Sequence, residues 1–120
     1  MNPTGETMQY LVLIYSEDSP NPTPPTPEQM QGWFDYTQAL KDAGVYVAGE
    51  ALQPVVTATT IRGMGKDAVM TDGPFAETKE TLGGFYMIEC ADADEALKWA
   101  GLCPGAQYGS IELRPVVRFS

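Results

Sequence analysis

Tyr10-Leu11-Val12-Leu13-Ile14-Tyr15 is an unbroken apolar run, too short for a helix and rich in strand formers. It predicts a strand buried on both faces. A strand covered by helices on one side only alternates polar and apolar residues, so something must also cover the second face. Five of the ten prolines fall between Ser19 and Pro27, which predicts a stiff, extended loop over residues 18–26. Thr26-Pro27-Glu28-Gln29 then supplies an N-cap, a proline at the first helical position and a Gln at the capping-box position. Met30, Trp33, Phe34 and Leu40 recur at helical spacing and read as the core stripe of that helix, with Gly44 as its C-terminal stop.

Downstream, residues 45–48 read as a short strand and 49–54 as a turn. Residues 55–62, rich in Thr, read as a strand leading into a hairpin turn at Gly63-Met64-Gly65-Lys66-Asp67, with 68–71 as the returning partner. Asp72-Gly73-Pro74 ends it. Residues 84–90 supply another strand, and Ala91-Asp92-Ala93-Asp94-Glu95 opens a helix to about Leu102, its early carboxylates against the positive end of the helix dipole. Residues 111–119 close the chain as a strand, with Pro115 marking an edge, a bulge or the strand's end. The order is β-α-β, an inserted β-hairpin, then β-α-β. This is an α+β pattern: a ferredoxin-like antiparallel sheet with both helices on one face. The apolar first strand then calls for a homodimer in which two bare sheet faces meet and close an α/β barrel.

The chain of 120 residues fits one domain, with residues 1–7 expected as a flexible tail. Seven Lys and Arg against sixteen Asp and Glu give a net charge of −9 without any basic cluster, so nucleic acid and anionic membrane surfaces are poor partners. Histidine is absent, which removes Ser-His-Asp and Cys-His triads and His-based metal sites. Acid–base work falls to carboxylates, Tyr, Lys or Cys. Cys90 and Cys103 match neither a CxxC redox motif nor a zinc pattern and read as free thiols of a cytoplasmic protein.

Thr71-Asp72-Gly73-Pro74-Phe75-Ala76-Glu77-Thr78-Lys79-Glu80, followed by Leu82-Gly83-Gly84-Phe85-Tyr86, resembles the signature of the DGPF group within the YCII-related family. The resemblance extends to residues 8–15, 58–62, 94–97 and 109–116, nearly the whole chain after residue 7. It implies a bacterial ferredoxin-like dimeric α/β barrel, similar in shape to muconolactone-isomerase-type and antibiotic-monooxygenase-type proteins, and brings no established reaction. For the wider family a His with an Asp has been proposed to act in a pocket between strands. This chain has no His, so only the carboxylate carries over, and Asp72 is the position that matches. Proximity of some members to genes for extracytoplasmic-function sigma factors implies a regulatory context.

Two readings of Asp72 stand side by side. As a carboxylate at a strand end beside Phe75 it can move protons as a general acid or base; as part of Asp-Gly-Pro it can simply bond its own turn. Arg62 can pair with Asp72 or hold an anionic substrate group. Glu77 and Lys79 form a charged segment able to bind a polar substrate, and Tyr15, Tyr86 and Phe85 can line a cleft or pack in the core. Gly83 and Gly84 read as a bulge or a close approach for ligand. Asp92, Asp94 and Glu95 read as helix capping, and no cofactor or metal is called for. The expected function is cofactor-independent proton transfer on a small organic molecule by Asp72, or small-ligand binding by a regulatory dimer without catalysis.

Overall fold

The computed structural model describes residues 6–19 and 23–119. The expected tail therefore lies mostly outside the described residues, as does the 20–22 portion of the proline loop. The main sheet holds β1 (Met8–Glu17), β2 (Tyr46–Ala51), β5 (Glu80–Cys90) and β6 (Ser110–Pro115) in the order β2-β5-β1-β6, every pairing antiparallel. Helices α1 (Pro27–Asp42) and α2 (Ala93–Gly101) provide the two crossovers. This is the expected ferredoxin-like α+β arrangement. Among the described residues no helix is long and apolar enough to cross a membrane.

Helix α1 begins as its sequence dictates. Thr26 Oγ1 accepts from the Gln29 backbone N–H at 3.1 Å, while Gln29 Oε1 accepts from the Thr26 N–H at 2.9 Å. Two amides that the helix itself leaves unpaired are thereby satisfied. At the other end Gly44 takes φ 74°, the left-handed conformation that a helix stop favours. The core lies between helices and sheet and holds Tyr10, Val12, Tyr36, Leu40, Ile88 and Cys90. Tyr36 also donates to the Trp99 carbonyl at 2.8 Å, tying α1 to the end of α2.

The stripe expected on α1 needs correction. Phe34 is 62% exposed and Met30 44%, whereas Tyr36 and Leu40 are buried with Trp33 packed beside them. Positions 33, 36, 37 and 40 form one line at i, i+3, i+4 and i+7, and Phe34 stands about 100° round the helix from Trp33. Strand boundaries differ as well. β5 begins at Glu80, four residues earlier than expected, because its ladder with β1 continues past an irregularity: Ile14 faces Gly84 and Tyr15 faces Leu82, leaving Gly83 as the extra residue of a bulge. β2 extends to Ala51 through the expected turn. Gly49 permits this, since a Cβ there would meet Tyr86 Cδ1 at 2.8 Å. β6 stops at Pro115, short of the expected Phe119, with one more bond to β1 from the Val116 N–H to the Gln9 carbonyl at 2.9 Å; Pro115 is tolerated because it lies on the edge strand in a non-hydrogen-bonded pair with Tyr10.

Residues 55–62 divide into a single 3₁₀ turn (Val55–Thr57) and β3 (Thr59–Arg62). β3 pairs with β4 (Val69–Asp72) in a separate two-stranded sheet, in which every residue except Thr60 is exposed. The molecule is flat, 47 × 42 × 19 Å, with a radius of gyration of 16.7 Å. A compact chain of this length would have about 14 Å.

Candidate functional site

On the helix side, α1 and the β2–β5 edge diverge and leave a chamber of about 650 Å³. Its walls carry Trp33 and Thr37 from α1, Tyr46 from β2, and Ile14, Ser16 and Tyr86 from the sheet. Gly84 also lines it and lets β2 pack closely against β5, since a Cβ there would come within 2.9 Å of the Glu50 carbonyl oxygen. Trp33 and Tyr86 lie nearly parallel, 16° apart with ring centres 6.4 Å from one another, and Tyr46 meets Tyr86 edge-on.

The hydroxyls on the wall form a directed chain. Thr37 Oγ1 donates to the Trp33 carbonyl at 2.9 Å, so its one proton is committed; the 2.6 Å contact between Thr37 and Tyr86 therefore takes its proton from Tyr86. Burial raises the Tyr86 hydroxyl above its ordinary value, keeping that proton in place at neutral pH. The Tyr86 oxygen keeps acceptor capacity.

Two further hollows lie nearby and share lining residues with the chamber or with each other. A neck of about 420 Å³ shares Ser16 and Gly83 with it, where β1 ends and β5 begins. A mouth of about 570 Å³ shares Asp18, Val55 and Thr81 with the neck and reaches Asp72, Gly73 and Glu77. Among the described residues, none lining these three hollows is a Lys or Arg. Asp72 is exposed at the end of β4, opposite Thr59. Its turn is held by other groups: the Gly73 N–H donates to the Ala58 carbonyl at 2.7 Å, Thr60 Oγ1 donates to the Gly73 carbonyl at 2.8 Å, and Gly73 takes φ 97°. Among the described residues the Asp72 carboxylate accepts no hydrogen bond from the turn.

The other expected site residues divide between this groove and elsewhere. Glu77 shares the mouth with Asp72. Arg62 stands opposite Val69, three residue pairs along the ladder from Asp72, and donates from Nη2 to the Phe75 carbonyl at 3.3 Å. Phe75 itself is 76% exposed. Lys79 Nζ lies 3.5 Å from the Glu17 carboxylate in an exposed ion pair. Tyr86 faces the chamber, but Tyr15 lies on the opposite face of the sheet and donates to Glu112 at 3.2 Å, where partial burial and then that carboxylate raise its hydroxyl above the ordinary value. Tyr15 and Tyr86 thus cannot line one cleft within a subunit.

Asp92 caps α2 by accepting from the Glu95 N–H at 2.9 Å, which holds its carboxyl below the ordinary value. Among the described residues, no His, Cys, Asp and Glu side chains gather into a group able to hold a metal ion. Cys90 and Cys103 are free and buried. Sequence reasoning missed Thr37, Tyr46 and Asp18 as site residues. The available signal was the Gly83-Gly84 pair beside a polar Thr on the inward line of α1.

The family model for the YCII-related domain matches residues 8–120. An uncharacterised protein of Rhizobium meliloti (strain 1021) is 36% identical over 117 residues, an alignment covering 93% of this chain and 94% of that protein. With the antiparallel sheet, its two crossover helices and this match over nearly its whole length, the chain belongs to the YCII-related family.

Proposed function

We propose that the chain is a homodimeric small-molecule-binding domain whose ligand enters at the Asp72 mouth and lodges its body in the chamber under α1. The chamber carries this reading: it is of ligand size and mostly apolar, and two smaller hollows that share lining residues in series lie between it and the Asp72 turn. Dimerisation is supported by the second face of the sheet, where Leu11, Leu13, Phe85 and Met87 meet across the β1–β5 ladder with no helix over them. The test is equilibrium dialysis against a small-molecule extract, comparing the wild type with Ser16→Phe, which narrows the chamber and its neck. Compounds retained by the wild type and lost by Ser16→Phe are expected. Equal retention by both proteins, or none by either, removes the reading.

Asp72 as general acid or base is the catalytic form of the same proposal. The observation favouring it is that Thr60 and the backbone hold the turn, leaving the Asp72 carboxylate turned to no partner within it. In this form Asp72→Asn abolishes turnover of a retained compound while its binding persists. If Asp72→Asn turns the compound over at the wild-type rate, Asp72 is not the proton-transfer group.

A further inference from the structure

We infer that β3 and β4 form a dimerisation arm: the hairpin face that carries Ile61 and Met70 packs on the open sheet face of a second copy of this chain and brings that copy's surface beside Asp72. This rests on the proposed dimer and adds the element that completes its interface. The register divides the hairpin into two faces, because cross-strand partners share a side and successive pairs alternate. Thr60 and Thr71 with Arg62 and Val69 make one face; Thr59 and Asp72 with Ile61 and Met70 make the other. The subunit engages the first itself, since Thr60 donates to the Gly73 carbonyl at 2.8 Å and Arg62 to the Phe75 carbonyl at 3.3 Å. On the second, Ile61 is 59% and Met70 70% exposed.

Among the described residues β3 and β4 pair only with each other, and a lone two-stranded hairpin is marginally stable in water at best. The chain itself carries the surface that would cover it. A stable pair of subunits buries about 800 Å² on each partner, more than half of it apolar. Leu11, Leu13, Phe85 and Met87 are half-buried already, so two stacked sheets alone fall short of that area. Ile61 and Met70, with Met64 89% exposed at the arm's tip, make up the deficit. Shape and charge agree: β layers pack face to face, and these three side chains bring no carboxylate to a surface that already holds Glu50, Glu89 and Glu112. Asp72 lies on the same face of the arm as Met70, two residues or about 7 Å along β4. The second copy therefore gives this exposed carboxylate a wall that one subunit does not supply.

The test is the dimer dissociation constant, measured by sedimentation across a dilution series, for the wild type, for Ile61→Thr with Met70→Thr, and for Val69→Thr on the arm's other face. Threonine keeps the strand-forming tendency while removing apolar area, so the fold of the subunit is retained and circular dichroism should not change. The double variant is expected to raise the dissociation constant about tenfold, and Val69→Thr to leave it unchanged. Hydrogen exchange of the amides between Thr59 and Asp72 supplies a second readout: in the wild type it should slow as rising concentration fills the dimer. A double variant that dimerises as tightly as the wild type, a Val69→Thr that weakens association as much, or arm exchange indifferent to concentration overturns the arm and leaves the sheet-face dimer standing. A wild type that stays a single subunit at every concentration removes both.

Discussion

On the helix side of the sheet, Tyr10, Val12, Ile88 and Cys90 keep at most 4% of their surface, while on the other side Leu11, Leu13, Phe85 and Met87 stay half-buried beside Glu50, Glu89, Glu112 and Arg114. Both faces come from the same strands, and β1 carries apolar residues on each. The first face is finished within one subunit, because two helices cover it. The second has the composition of a covered surface without a cover. The flat 19 Å dimension measures the same deficit: one sheet and one helix layer, where the sequence provides apolar side chains for more.

Substitutions should separate the two faces. Ile88 is fully buried, and Ile88→Ala is expected to cost about 3 kcal/mol in urea unfolding, through lost transfer energy and the cavity it leaves. Leu13→Ala at low protein concentration should cost well under half of that. Equal losses under those conditions would mean that the subunit already covers both faces, and the contrast would collapse. Leu13→Asp is the sharper variant. It should leave the helical circular-dichroism signal intact while light scattering at micromolar concentration reports one subunit where the wild type reports two. A wild-type mass of one subunit would remove the dimer from the proposal.

Smaller effects belong to the caps. Thr26→Ala removes the side-chain acceptor for the Gln29 amide and should lower stability by about 1 kcal/mol. Asp92→Ala acts in the same way on α2, through the Glu95 amide. These two caps lie off the sheet, so neither should change the oligomeric mass. A cap variant that shifted it would mean that the helices, too, belong to the interface.

What the sequence revealed follows the reach of each signal. Caps, stops and the hairpin are local: Thr26, Gln29, Gly44 and the Gly63–Asp67 turn act within a few residues, and all stand where their chemistry put them. The β-α-β order was legible for the same reason. The face of a side chain was less so. That Tyr86 joins Val12 on the helix side, and Tyr15 does not, depends on the β1–β5 register and on the Gly83 bulge that shifts it. On α1, Phe34 is apolar yet stands one position off the inward line that Trp33, Tyr36 and Leu40 define. The chamber was hidden because its walls come from segments far apart in sequence, α1, β2 and β5, which Gly49 and Gly84 allow to pack closely. Asp72 was located by its motif, but its release from its own turn depends on Thr60, thirteen residues away from Gly73.

The finished face also makes a prediction in alkali that the open face cannot. Cys90 lies on the helix side with 1% of its surface exposed, and burial, reinforced by Glu95, pushes its thiol from about 9 up to about 12. Between those values the unfolded chain has given up the Cys90 proton while the folded chain retains it. The folded state then binds more protons than the unfolded one, so stability falls as pH rises. The contribution is fully present below about pH 9 and fades through about pH 12. Cys90→Ala removes this share, so the decline in urea midpoint from pH 9 upward should be shallower in the variant, whatever packing it loses at neutral pH. An unchanged slope would assign the alkaline decline to the other buried protons of that face, those of Tyr36, Tyr86 and Cys103, whose values burial also raises.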